Sequence, residues 1–586
     1  MKNRPRACRN SIFLGVEMSL SISTANWRRA LPVILVILAA CGGGGGSGRA
    51  PVMPPPLPPA APPPVPIADT TTDHGFVTDH FSGSQNCASC HDGLQDGNGN
   101  DVSIVNDWQA TMMAQSGRDP LWRAKVASEV KRNPALQDEI EATCGRCHVP
   151  MANVEAEFAS VGATLFGDDG LLHPDNPLFD AANEGVSCTL CHQVEDSAAL
   201  GTDDGFSGNF SVPFEFGRNR LLYGQYNNPF TMPMQNQVGF TPAESAHISS
   251  SEQCATCHNL NTRVIDAQGN LTNQLFPEQM VYTEWENSQF KTTDSCQDCH
   301  MSKAAGDMRI STRPMNGLAL RADFSEHAFV GGNTYMLDIL DQNKQELNVT
   351  ATGFANVVTE TRSFLASAAS LTLDGVARVG DDLDFVVRLT NLSGHKLPTG
   401  YPSRRMWLHV TVSDAAGAVV FESGAIDAMG KIAGLESDSN SAGFETHHDL
   451  ITSADQVQSY ETIMQNLDGE LTYTLLEAAT YRKDNRLLPA GMDKATAPST
   501  IQPRGDAMAD ADFVGGGDRV HYRIGGLLAS TYTIEARLNY QTMAYGFGQD
   551  LFNDVDEPRV AMFKDLDDVA RLRFETLSSD TSNIDF

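Results

Sequence analysis

Beyond residue 299 the chain has no cysteine, and between residues 42 and 299 it has none outside one short repeated pattern. A disulfide framework is thereby excluded, because such frameworks do not repeat one short spacing. Positive charge is also scarce. Lys and Arg number 41 against 73 Asp and Glu, a formal net charge of −32 over 586 residues. An acidic chain of this kind repels nucleic acid and anionic membrane surfaces and favours basic partners. After residue 40 no apolar run approaches the roughly 20 residues of a membrane-spanning helix. What is present is a hydrophobic content of 41%, enough for packed cores, and a length that accommodates two or three domains.

Ten of the twelve cysteines form five C-x-x-C-H motifs: Cys87, Cys90 and His91; Cys144, Cys147 and His148; Cys188, Cys191 and His192; Cys254, Cys257 and His258; Cys296, Cys299 and His300. Two cysteines three apart, followed by histidine, share one turn of helix. The thiols reach the two vinyl groups of one haem, and the histidine ligates its iron from below, which is the signature of c-type attachment. Structural zinc needs pairs of C-x-x-C knuckles and gives no reason for a histidine after each. A thioredoxin-like motif occurs once, beside a βαβ pattern. Five covalently attached haems c are therefore expected within about 210 residues, close enough together to conduct electrons.

The other two cysteines, Cys8 and Cys41, lie near the N-terminus. Arg28 and Arg29 precede an apolar run, Ala30 to Ala40, that ends at Cys41. This reads as a lipoprotein signal over 1–40, with Cys41 the lipidated residue. Gly42 rather than Asp after it favours the outer membrane by the lipoprotein rule. Met18 is an alternative start, which would leave Cys8 untranslated. Residues 41–69 form a Gly- and Pro-rich tether. At about 3.1 Å per residue its proline segment would lift the body roughly 50 Å off a membrane.

An iron that only carries electrons needs a sixth ligand, and an open position would admit substrate. His80 and His247 each stand seven residues before a motif's first cysteine, a repeated offset. His327 and His395 lie in Gly-rich loops that allow close approach to a ring, and His173 is a fifth candidate. The competing ligands are Met112, Met113, Met151 and Met301, for which core packing is the alternative. Asp96-Gly-Asn-Gly-Asn-Asp101 resembles the start of a calcium loop but lacks the glycine at position six, and reads as a polar turn.

The stretches Glu184 to His192, His247 to His258, Tyr282 to Trp285 and Gly394 to Gly400 resemble the multihaem cytochrome c superfamily. That group includes the small tetrahaem carriers of ammonia oxidisers and the pentahaem nitrite reductases. The reductases usually carry one haem motif ending in lysine, and none here does. The resemblance covers the haem region and the start of the domain after it, and implies a redox role without singling out a member.

From about residue 350 the pattern changes. Ser370–Leu373, Leu383–Leu389, Trp407–Val412, Val419–Glu422, Val520–Ile524 and Tyr532–Leu538 read as half-buried strands between Gly- and Asp-rich turns. Residues 563–576 read as a closing helix, and Lys483 to Gly491 as a polar turn. The expected fold is α+β: a mostly helical, loop-rich pentahaem domain over 70–345, then an antiparallel β-sandwich-like domain with a C-terminal helix over 350–586. The expected function is extracytoplasmic electron transfer with other redox proteins or quinone-linked donors, from a lipid anchor on the periplasmic or outer face. The alternatives are an oxidoreductase with one five-coordinate haem acting on a small nitrogen or sulfur compound, and a docking module with haem cargo.

Overall fold

The computed structural model describes residues 72–585. The signal segment, Cys41 and the tether fall outside the described residues. Among those described, no helix is long and apolar enough to cross a membrane.

The first half is helical and loop-rich. Each C-x-x-C-H motif occupies a short helix or the end of one: Gln85–His91, Gln137–His148, Cys188–Cys191, Ser251–His258 and Cys296–His300. The last begins with a capping box, in which Ser295 and Asp298 satisfy each other's backbone N–H groups. Two small sheets interrupt this half. Strands β1 (Leu221–Gly224) and β2 (Thr241–Glu244) pair in parallel, and β3 (Asn259–Ile265) and β4 (Leu271–Met280) form a hairpin.

The second half carries β5 (Ala369–Val379), β6 (Asp382–Asn391), β7 (Arg405–Ser413), β8 (Val419–Ser423), β9 (Leu450–Ile451), β10 (Ser459–Gln465), β11 (Thr480–Asp484), β12 (Gly517–Ile524), β13 (Thr531–Gln541) and β14 (Glu575–Asp585). One sheet runs β11-β10-β7-β13-β14, with β8 also on β7; the other runs β5-β6-β12-β9. All pairs are antiparallel except β9 with β12. Leu383, Phe385, Val387 and Leu389 of one sheet pack against Leu408, Val410, Ile534 and Leu538 of the other. This is the sandwich core that the alternation in these strands requires.

One feature departs from expectation. The closing helix is Pro558–Asp568, and residues 575–585, partly assigned to that helix from sequence, form the edge strand β14. The described residues all fall within one compact unit. One apolar cluster joins Leu121, Phe276 and Leu340 of the haem-motif half to Phe354, Tyr481, Phe547 and Phe563. Residues from both sides of the expected boundary complete the same core, so neither side buries its apolar surface alone.

Candidate cofactor site

All ten cysteines of the motifs are half-buried. Thiols of different motifs are close enough to interact: Cys87 with Cys188, Cys147 with Cys257, and Cys254 with Cys296. Gln253, on the fourth motif's helix, donates to the carbonyl of Cys191 at 2.9 Å. The first motif therefore adjoins the third, the third the fourth, and the fourth both the second and the fifth. No motif is isolated.

Four of the five motif histidines share one polar arrangement. Nδ1 of His91 pairs with the carbonyl of Ile310 (2.8 Å), that of His148 with Ser116 (3.3 Å), that of His192 with Tyr223 (2.5 Å) and that of His300 with Val330 (2.6 Å). A carbonyl can only accept, so the proton sits on Nδ1 and the Nε2 lone pair is free for a metal. Burial keeps these rings neutral, pushing His148 and His300 down to about 4.

Two of the predicted sixth ligands face a motif histidine. The ring centres of His192 and His327 lie 6.5 Å apart, inclined by 25°, and those of His300 and His395 lie 6.3 Å apart, inclined by 14°. Rings in contact are closer, as His80 and Phe158 are at 4.2 Å. Two imidazoles bound to one metal, each nitrogen about 2 Å from it, have centres roughly 6 Å apart. Both separations suit an iron between the rings. Burial holds His327 at about 3, so it too is a neutral donor.

His80 is buried, and its Nδ1 bonds the Glu155 carboxylate at 3.0 Å. Its Nε2 is enclosed without a hydrogen-bond partner, among Phe158, Phe214 and Phe216. An orphaned imidazole nitrogen backed by a carboxylate is a donor set that fits a metal. His247 differs, because Nδ1 meets the Ser245 hydroxyl at 2.7 Å and Nε2 meets the Val194 carbonyl at 2.8 Å. Both its nitrogens are engaged in the fold. His173 sits on a turn, where Nδ1 accepts the Asp175 amide at 3.3 Å.

The methionines are packed or positioned locally. Met151 is fully buried, with its sulfur accepting from Thr189. Met112 packs on the shared core, Met113 receives the Val186 amide through its carbonyl, and Met301 caps the fifth motif's helix. Asp96 accepts the amides of Asn98 and Asn100, a pattern repeated at Asp266, Asp414 and Asp427. The calcium-like stretch is thus one of several similar turns.

Sequence reasoning missed the groups that orient these rings. The carbonyls of Ile310, Ser116, Tyr223 and Val330 carry no side-chain signal. Glu155 and Glu284 are acids with nothing in their local sequence to mark them as buried. The polar turn at Lys483 is an ion-pair cluster: Asp484 meets Lys396 at 2.7 Å and Arg486 at 2.8 Å, and Arg486 meets Glu284 at 2.9 Å.

Residues 86–193 match the family model described as cytochrome c554 and c-prime. No curated protein matches the chain. Among solved structures, a penta-heme cytochrome c552 from Thermochromatium tepidum aligns with 16% identity and a TM-score of 0.47, over 86% of this chain and 99% of that one. Five C-x-x-C-H turns, four of them with an imidazole oriented through Nδ1, and a family match that spans the first three support a multihaem c-type cytochrome that binds haem c.

Proposed function

We propose that this cytochrome carries five haems, one on each motif, and relays electrons outside the cytoplasm. His91, His148, His192, His258 and His300 are the proximal ligands. His327 caps the third iron and His395 the fifth, and His80 caps another. The facing ring pairs at 6.5 and 6.3 Å carry this reading. Haem c supplies a one-electron iron centre. The protein orients four of the five motif imidazoles through Nδ1 and places each motif against at least one other. Connectivity through the fourth motif gives a branched relay, which passes electrons among three neighbours instead of along a single file. A lipid on Cys41 would hold the protein at the outer membrane, facing redox proteins or quinone-linked donors.

The first test is the haem mass together with the reduced visible spectrum, with and without carbon monoxide. The relay reading expects five haems and little reaction with the gas. Fewer than five haems would sink the count.

A second reading, an oxidoreductase acting on a small nitrogen or sulfur compound, is favoured by the second motif. There the ring of Trp122 lies 4.6 Å from His148 and parallel to it. Buried Lys125, Glu129 and Glu278 all act electrostatically on Cys144, and Cys144 and Glu278 in turn on Tyr401. Acids, a base and a phenol beside one haem could serve proton transfer. Carbon monoxide binding at about one haem in five, lost or altered in Tyr401→Phe, would select this reading.

A further inference from the structure

We infer that Glu284 is a positioning residue that sets the placement of His395 against His300. The inference rests on the reading of His395 as the fifth haem's distal ligand.

Glu284 lies on the helix Val281–Glu286, shortly before the fifth motif, and its side chain is fully buried. Its carboxylate holds the His395 loop at two points. One oxygen accepts the backbone N–H of Lys396 at 3.2 Å and the hydroxyl of Thr399 at 2.5 Å. The other oxygen is paired with Arg486 at 2.9 Å. Arg486 and Lys396 converge on Asp484, the last residue of β11. On the other side of the histidine, the Asn391 amide and the Ser393 hydroxyl both donate to the His395 carbonyl, each at 2.9 Å.

The same helical segment packs against the loop from outside. A β-carbon on Gly394 would stand 3.3 Å from Trp285 and 3.5 Å from Phe290, so a side chain there would touch Phe290 and press Trp285 back by a few tenths of an ångström. The Gln289 amide donates to the Ala490 carbonyl at 2.8 Å. The segment that leads into Cys296 is therefore fastened to the loop that carries His395 by Glu284, and to the turn after β11 by Gln289.

Two buried acids and two buried bases are a poor means of gaining stability, because desolvation offsets most of their attraction. Such clusters are best suited to fixing register, since each charge tolerates one geometry. Here the register being fixed is that of one imidazole against another across 6.3 Å.

The experiment compares Glu284→Gln, Thr399→Val and His395→Ala in the full-length holoprotein, each checked for five haems by mass. Electron paramagnetic resonance, spectropotentiometry and carbon monoxide binding provide the readouts. His395→Ala is expected to make one haem in five reactive to carbon monoxide. Glu284→Gln is expected to shift the midpoint potential and low-spin signal of that same haem and leave the other four unchanged. Thr399→Val should move the same haem less. It alters no charge, so its response reports position. If neither Glu284→Gln nor Thr399→Val moves that haem, the positioning role is overturned and Glu284 merely braces the fold. If Glu284→Gln does not assemble, Thr399→Val decides alone, and an unchanged haem overturns the inference. If His395→Ala leaves every haem low-spin, it is the ligand assignment that falls.

Discussion

His300 Nδ1 and the carbonyl of Val330 meet at 2.6 Å, three residues beyond His327, whose ring faces His192. One loop thus orients the fifth motif's histidine through its backbone and serves the third motif through a side chain. Phe329, between the two, has a φ of +41°, a left-handed conformation that turns the loop from one task to the other.

Replacing His327 or His395 by alanine should each expose one iron. Each single variant is expected to bind carbon monoxide at about one haem in five, and the double variant at about two in five, with unchanged haem mass. Variants with the wild-type spectrum would remove these residues from the ligand set.

Glu278 gives a pH dependence that can be tested. Burial, reinforced by neighbouring Glu129, pushes its carboxyl up to about 7 from an ordinary 4.5. A raised carboxyl binds its proton more tightly folded than unfolded, so this contribution to stability is complete below about 4.5 and is lost as the pH rises through about 7. Glu278→Gln should remove that part of the decline. Thermal midpoints measured from pH 4.5 to pH 8 would show a flatter profile for the variant, and parallel profiles would count against the assignment.

Arg405 and Asp438 form a fully buried, two-pronged ion pair at 2.6 and 2.8 Å on the outer side of β7. Removing one partner strands the other, at a cost of about 3–5 kcal/mol. Asp438→Ala should lower stability by that amount in denaturant titration, while a loss under about 1 kcal/mol would mean that water reaches Arg405.

Gly185 precedes the third motif with φ +68°, and a β-carbon there would lie 2.6 Å from the carbonyl of Met113. Gly185→Ala should displace the third motif from its seat and cost about 1–3 kcal/mol through strain. Mass spectrometry should find a fraction of chains one haem short. Full loading and full stability would mean that the backbone yields more easily than the contact implies.

Much of the plan was legible in the sequence because it is written in periodicity and fixed spacing. The motifs needed only one helical turn each, and strands β5, β6, β7, β8, β12 and β13 appeared where alternation predicted them. Strand β10 was missed because it is buried on both faces and so shows no alternation. Strand β14 was missed because its register is carried by polar residues at a sheet edge, Ser578, Asp580 and Asn583 among them. The equal spacing of His80 and His247 from their motifs suggested equal roles. Their surroundings differ: Val194 offers His247 a carbonyl at Nε2, while His80 Nε2 has no partner. Such a distinction is made by distant backbone atoms, and no local pattern encodes it.

The core shared between the helical half and the sheets bears on how the molecule is made. Cys188 and Cys296 leave the ribosome well before His327 and His395 respectively, and the sheets that support His395 come later still. On the ligand assignment proposed here, a growing chain can receive its haems before it can finish coordinating them. Each new molecule then passes through a half-built stage with uncapped irons, and closing of the sheets marks its maturity. A truncated translation product would keep those irons open, and would be recognisable by its chemistry as well as by its length.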